Sequence, residues 1–204
     1  AAMGGARLIH PYNDAETIAG QGTIGLEMIE QVSGLDAIIV PTSGGGMLTG
    51  TALAAKSMNP AVRIFAAEPA GKRLAESLAS GKRIIDPAVS DKAIPTIADA
   101  IITMPLGTLP FEIAREHVDP IVLTVSDTDI QSAMCYTAMH LKQMVEPAGA
   151  VGMAALLSSG FRAAVESASA NGHPILNVGV IICGGNIDLL RWQELIKDAS
   201  QTRC

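Results

Sequence analysis

Ile38-Ile39-Val40-Pro41-Thr42-Ser43-Gly44-Gly45-Gly46-Met47-Leu48 is the stretch that decides the fold. A short apolar run, opened by Asp36-Ala37 and closed by Pro41, has the length and β-branched content of a buried parallel strand. Three consecutive glycines follow, and residues 47–58 then carry helical periodicity. A strand entering a glycine turn that opens a helix is the unit from which α/β layers are built.

The same alternation extends along the chain. Residues 62–68, 98–103, 120–125 and 175–182 are further short apolar runs that predict strands. Residues 15–32, 147–170 and 188–199 predict helices. Ser126-Asp127-Thr128-Asp129 reads as a helix N-cap with an acidic residue at N3, close to a capping box, and Ile130, Met134, Leu141 and Val145 recur behind it at roughly helical spacing. Residues 71–97 are the most polar and turn-rich part and predict a helix plus a surface loop. The expected architecture is one domain over residues 1–204: α/β, a three-layer, mostly parallel sheet with flanking helices.

Composition narrows the function. The 204 residues are 49% hydrophobic and 17% charged, which excludes a disordered chain. A net charge of -6 gives no basic footprint for nucleic acid. No apolar run approaches the ~18–20 residues of a membrane span, and Ala1 to Arg7 lack the charged-then-apolar order of a signal peptide. The three cysteines, Cys135, Cys183 and Cys204, are odd in number and form no Cys-x-x-Cys. This argues against a disulfide framework and for a reducing, cytoplasmic setting, with Cys135 a buried small hydrophobe.

The chemistry centres on two glycine turns. At Ser43 to Gly46 the lack of Cβ atoms lets successive N–H groups converge on an anion, and the helix N-terminus adds a positive dipole. The expected ligand is a phosphate; a tight turn without a ligand is the plainer alternative, and three adjacent glycines exceed what it needs. A dinucleotide fingerprint is nearly matched, since Gly44 and Gly46 fit and Glu68 is placed like a ribose-binding acid, but position 49 is Thr and Gly50 comes one residue late. A P-loop is absent, and Pro41 breaks the hydrolase elbow pattern. The second turn, Cys183-Gly184-Gly185-Asn186, also follows a predicted strand and precedes a predicted helix. Strand ends of one parallel sheet face one crevice, so both turns should share a site for an extended phosphorylated cofactor.

Six segments in order then carry a specific resemblance: Ile18-Ala19-Gly20-Gln21-Gly22-Thr23, Pro41 to Leu48, Ala67-Glu68-Pro69, Thr96-Ile97-Ala98-Asp99-Ala100, Glu146-Pro147-Ala148-Gly149-Ala150 and Cys183-Gly184-Gly185-Asn186. Together they resemble the large domain of fold type II pyridoxal-phosphate enzymes, in the serine/threonine dehydratase and serine racemase branch. The resemblance implies that Ser43, Gly44, Gly45, Gly46 and Met47 hold the cofactor phosphate, that Cys183 faces the pyridine nitrogen, and that Asn186 of the same turn also binds the cofactor. Ala100 stands where the family has a glycine near the cofactor ring, and Glu146 matches a glutamate near the cofactor. A neutral partner at the ring nitrogen suits elimination or racemisation rather than transamination. Glu68 matches the first ligand of a divalent-cation (Mg or Mn) site. The family has an acid six positions later, where this chain has Leu74, with Lys72 and Arg73 nearby. Lys142 matches a lysine at a nucleotide effector site in racemase-like members; a solvated helix lysine is the plainer reading.

Other family parts find no match. None of Lys56, Lys72, Lys82, Lys92, Lys142 and Lys197 stands in the Ser-x-Lys-x-Arg-like context of the Schiff-base lysine, and the Ser-Ser-Gly-Asn-like substrate loop is missing. The resemblance therefore implies no catalytic residue in this chain. It implies the C-terminal portion of a dehydratase or racemase acting on a small amino-acid substrate, and a homo-oligomer or a complementing N-terminal half as partner. The alternative is a non-catalytic subunit that binds the cofactor phosphate or serves assembly.

Overall fold

In the computed structural model, which describes residues 8–85, 94–103 and 105–197, the strand-turn-helix unit is present as expected. Strand β1 (Ala37–Pro41) is buried at every position and leads through the glycine turn into α2 (Gly46–Met58), which packs beside α1 (Ala15–Gln31). β1 pairs in parallel with β2 (Arg63–Pro69) on one side and with β4 (Val178–Val180) on the other. β3 (Leu123–Val125) lies outside β2, also parallel, so the order is β3-β2-β1-β4.

Alternation along the strands divides the core. Ile38, Val40, Ile64 and Ala66 pack with Leu48, Ala52 and Phe111 on one face of the sheet. Ala37, Ile39, Phe65 and Ala67 pack on the other face, with residues of α5 (Asp127–Tyr136), α6 (Pro147–Leu157) and α7 (Ser159–Ala170). Apolar residues on both faces mark a sheet covered on both sides, the three-layer arrangement expected. The capping box at Ser126 is complete, with the Asp129 N–H donating to Ser126 Oγ (3.2 Å) and the Ser126 N–H to Asp129 Oδ2 (2.9 Å).

Several elements differ from expectation. Residues 98–103 form no strand; Asp99–Ile101 is one 3-10 turn. The Asp127 carboxylate accepts from Thr96 Oγ1 (2.6 Å) and the Ile97 N–H (3.2 Å), and Thr96 Oγ1 accepts from the Ala98 N–H (3.2 Å). Side chains thus take donors that a sheet neighbour would otherwise take. The run 175–182 is trimmed to three residues of strand because Asp36 Oδ2 captures the N–H groups of Leu176 and Asn177 (2.9 and 2.8 Å). The predicted helix 147–170 breaks at Ser158, whose Oγ accepts from the Phe161 N–H (3.1 Å) and caps α7. The turn-rich segment contains α3 (Leu74–Ser80), and its residues 86–93 lie outside the described ones. α4 (Thr108–His117) is not foreseen; its Pro110 stands in the first turn, where a missing N–H does no harm. α8 (Leu189–Lys197) follows the second turn. Cys135 is buried as expected but is disulfide-bonded, against the reading from cysteine number. Among the described residues no single helix is long and apolar enough to cross a membrane.

Close glycine packing sets the two turns in place. A β-carbon at Gly50 of α2 would lie 2.8 Å from the Gly22 nitrogen and 2.9 Å from Gln21 Cβ of α1. One at Gly25 would lie 2.5 Å from the Thr51 oxygen. Gly22 and Gly25 of α1 therefore serve helix-helix approach, while a β-carbon at Gly20 would meet nothing. On the other face, α6 is buried along almost its whole length and runs directly beneath the Cys183 turn.

Candidate cofactor site

The first turn is built to present N–H groups. Gly45 adopts φ 98°, a left-handed conformation that favours glycine, and caps α2 with no side chain bonded to the helix end. The opening N–H groups of a helix have no intrahelical acceptors, so they remain for a ligand. The carbonyls of the turn are all turned the other way. Thr42 O accepts from Lys72 Nζ (2.7 Å), Gly44 O from the Gly107 N–H (2.9 Å) and Gly45 O from the Thr49 N–H (3.0 Å) and Oγ1 (2.8 Å). The Thr42 N–H donates to Ala67 O (2.8 Å), which ties the turn to the end of β2.

The second turn is held by Glu146, the residue before α6. Glu146 Oε2 accepts from the Asn186 N–H (2.8 Å), and the Glu146 N–H donates to Gly184 O (3.3 Å). Gly184 is left-handed at φ 83°, and a side chain there would run into the Glu146 carboxylate. Cys183 is a free thiol. Its burial, and then the negative charge of Glu146, push its pKa above the ordinary thiol value, so it is neutral at pH 7.

Both turns open on one cleft of about 390 Å³ at the C-terminal ends of β1 and β4. Ser43, Gly44, Gly45, Gly46 and Met47 line one wall; Ala100, Glu146 and Cys183 line the rest. Asn186 lies in an adjoining hollow with Asp99, Ala100 and Glu146. The uncapped helix end, the outward carbonyls and the volume fit a phosphorylated ligand of cofactor size.

Pro11, Tyr12, Gln21 and Thr103 also line the cleft, and sequence reasoning missed them. A β-carbon at Gly44 would run into the Tyr12 ring, and one at Gly46 would lie 2.9 Å from Tyr12 Cα. Two of the three glycines therefore make room for Tyr12 as well as exposing N–H groups. His10 Nδ1 accepts from the N–H groups of Tyr12 (3.3 Å) and Asn13 (2.9 Å), and the His10 ring meets Tyr12 edge-on at 4.6 Å. Asn13 Oδ1 accepts from the Leu109 N–H (2.9 Å), and Asp14 caps α1. The cap at Asp14 is a readable signal; the reach of Tyr12 to Gly44 is not.

Two expected residues lie elsewhere. Lys142 is exposed at φ 57°, ends the π-helical turn Thr137–Leu141 and donates to Met139 O (2.6 Å); it does not line the cleft. Glu68 is 1% exposed at the end of β2. Its Oε1 accepts from the Leu74 N–H (3.3 Å) and its Oε2 has no hydrogen-bond partner. Burial pushes the Glu68 carboxyl up to about 7 against the opposing pull of Lys72, and burial brings Lys72 down to about 8. A divalent cation takes six or more oxygen ligands. Leu74 stands where the second acid would be, Lys72 places an ammonium in the same pocket, and no group of three metal-ligating side chains occurs among the described residues. The residues present do not fit such a cation.

A glycine turn opening a helix and a neutral thiol at adjacent strand ends of a doubly covered parallel sheet fit a cofactor-binding enzyme domain. The chain belongs to the family described as pyridoxal-phosphate dependent enzyme, which matches residues 1–184. It is 45% identical over 195 residues to a serine racemase of Oryza sativa subsp. indica, covering 95% of this chain and 54% of the relative. It is 41% identical over 197 residues to an L-threo-3-hydroxyaspartate ammonia-lyase of Saccharomyces cerevisiae, covering 96% and 56%. Among solved structures, maize serine racemase superposes with a TM-score of 0.81 at 46% identity, covering 95% of this chain and 57% of the other. The chain spans about half the length of the curated relatives it matches.

Proposed function

We propose that this chain forms the cofactor-binding part of an enzyme that removes water from a β-hydroxy amino acid, or inverts its α-carbon, with pyridoxal phosphate. The observation that carries the reading is the shared cleft, in which the uncapped helix end at Ser43 to Met47, its carbonyls turned away, faces the Cys183 turn. Bound there, the cofactor supplies an electron-withdrawing ring for a substrate α-carbon. The N–H groups of the first turn hold the phosphate dianion, and the α2 N-terminus adds its dipole. Cys183, kept neutral by burial and by Glu146, offers a weak donor and acceptor to the ring nitrogen rather than a charge. An uncharged partner of this kind leaves the ring a moderate electron sink, which supports elimination and racemisation over transamination. Glu146 keeps the second turn in register through the Asn186 N–H. Tyr12 walls the cleft above the glycines.

Lys56, Lys72 and Lys142 donate to the backbone carbonyls of Val62, Thr42 and Met139. No lysine lines the cleft among the described residues, and none of the six in the sequence stands in the Schiff-base context, so we assign proton removal at the α-carbon to a lysine from further sequence of a longer protein or from a complementing chain. The relatives support serine, threonine and 3-hydroxyaspartate as candidate substrates.

The test combines the chain with an N-terminal half carrying the lysine and substrate loop. With pyridoxal phosphate and each candidate amino acid, keto acid is read by a coupled dehydrogenase and product chirality by chromatography. Keto acid or D-amino acid formation that needs both parts is expected. No turnover of any hydroxy amino acid by a mixture that binds the cofactor would overturn the reading.

A further inference from the structure

The pocket beside Glu68, which the resemblance marks as a cation position, has a geometry of its own. Lys72 reaches from the loop before α3 to the turn after β1, where its Nζ donates to Thr42 O (2.7 Å) and Ser43 O (3.3 Å). Those carbonyls belong to the peptides that carry the N–H groups of Ser43 and Gly44. In a trans peptide the C=O and N–H point in opposite directions. An ammonium gripping both carbonyls from behind therefore turns the two N–H groups away from itself, toward the cleft. It also polarises both peptides, which strengthens the N–H groups as donors.

The same ammonium lines, with Glu68 and Leu74, a narrow pocket of about 20 Å³. That volume holds one water-sized group and leaves no room for the several waters a bound magnesium usually keeps. Among the described residues Glu68 is the only carboxylate that lines the pocket, and the Lys72 ammonium already lies there. We propose that Lys72 is a tethered cation that replaces a divalent metal behind the glycine turn and positions the Ser43 and Gly44 N–H groups for the cofactor phosphate. Lys72 acts through those peptides and is a positioning residue. The second half of the proposal rests on the cofactor reading above; the first half does not.

The experiment has two arms on the protein as isolated. In the first, Mn²⁺ is titrated into chelator-treated protein and free Mn²⁺ is read by electron paramagnetic resonance. No binding at micromolar Mn²⁺ is expected; stoichiometric micromolar binding lost in Glu68→Gln would overturn the replacement. In the second, pyridoxal phosphate binding is followed by absorbance for the parent, Lys72→Met and Lys72→Arg. Lys72→Met is expected to weaken binding about tenfold or more, the scale of hydrogen bonds to a charged group. Lys72→Arg, which keeps a cation, is expected to restore most of it. A change of apo-protein stability with unaltered cofactor affinity in Lys72→Met would make Lys72 merely structural and overturn the positioning role. If the parent itself binds no pyridoxal phosphate, the cofactor reading falls, and the positioning role falls with it. The manganese arm still decides whether Lys72 has replaced a metal.

Discussion

Gly149→Ala is the substitution that most directly tests how the second turn is supported. Gly149 lies in the first turns of α6, where alanine is intrinsically better than glycine by about 1 kcal/mol. On an open helix the change would stabilise the protein. Here a β-carbon would lie 2.8 Å from the Cys183 carbonyl carbon and 2.9 Å from the Gly184 oxygen, and closer still to the Cys183 oxygen. Ordinary contact begins at 3.4 Å, and the obstructing atoms are backbone. The Cys183 turn must therefore retreat, by about 1 Å or more, a displacement that can lower a finely positioned reaction by about 10²-fold. Overpacking of this kind costs about 1–3 kcal/mol. For a protein of this size that lowers Tm by about 2–4 °C per kcal/mol. The expected result is a lower thermal midpoint by circular dichroism together with weakened pyridoxal phosphate binding by absorbance. A variant as stable as the parent, with equal cofactor affinity, would refute the claim that α6 abuts the turn.

Gly50→Ala should separate α1 from α2, because its β-carbon meets the backbone of Gly22; a fall of several °C in the thermal midpoint, about 1–3 kcal/mol, is expected, and an unchanged midpoint would contradict the close approach. Glu146→Gln removes a charge that raises the Cys183 pKa, so alkylation of Cys183 by iodoacetamide should reach half-maximal rate at lower pH than in the parent; an unshifted profile would show that Glu146 does not act on the thiol. Glu68 has a folded pKa raised from 4.5 to about 7, so the folded state holds its proton more tightly. Stability from this group is full below pH 4.5 and is lost as pH rises to about 7; denaturant titrations across that window should show the loss in the parent and a flatter profile in Glu68→Gln.

The strand-turn-helix unit was legible because its signals are local: β-branched residues, a proline stop and three glycines in succession. The capping box at Ser126 was legible for the same reason. Residues 98–103 were not, because Ile101, Ile102 and Thr103 look like strand while the deciding partner, Asp127, lies far along the chain. Grouping Ser43 to Met47 with Ala100, Glu146 and Cys183 followed from the rule that parallel strands end at one crevice, together with the family resemblance. Tyr12 escaped notice because its meaning comes from a contact with Gly44 that no periodicity encodes. Leu74 was visible as the departure from the family pattern, with Lys72 noted only as a neighbour, and the carbonyls Lys72 grips appear only in three dimensions.

The two strands that carry the cleft lie far apart in the sequence. β1 precedes residue 42 and β4 follows residue 177, and the bonds that seat β4 join Asp36 to Leu176, 140 positions apart. Closing so long a loop is entropically costly and slow, and a chain emerging from the ribosome must wait for β4 to appear. β3, β2 and β1 can pair beforehand, leaving the phosphate turn with one wall. The cleft is thus completed last, and a nascent chain cut short before β4 would keep most of its sheet and lose its site.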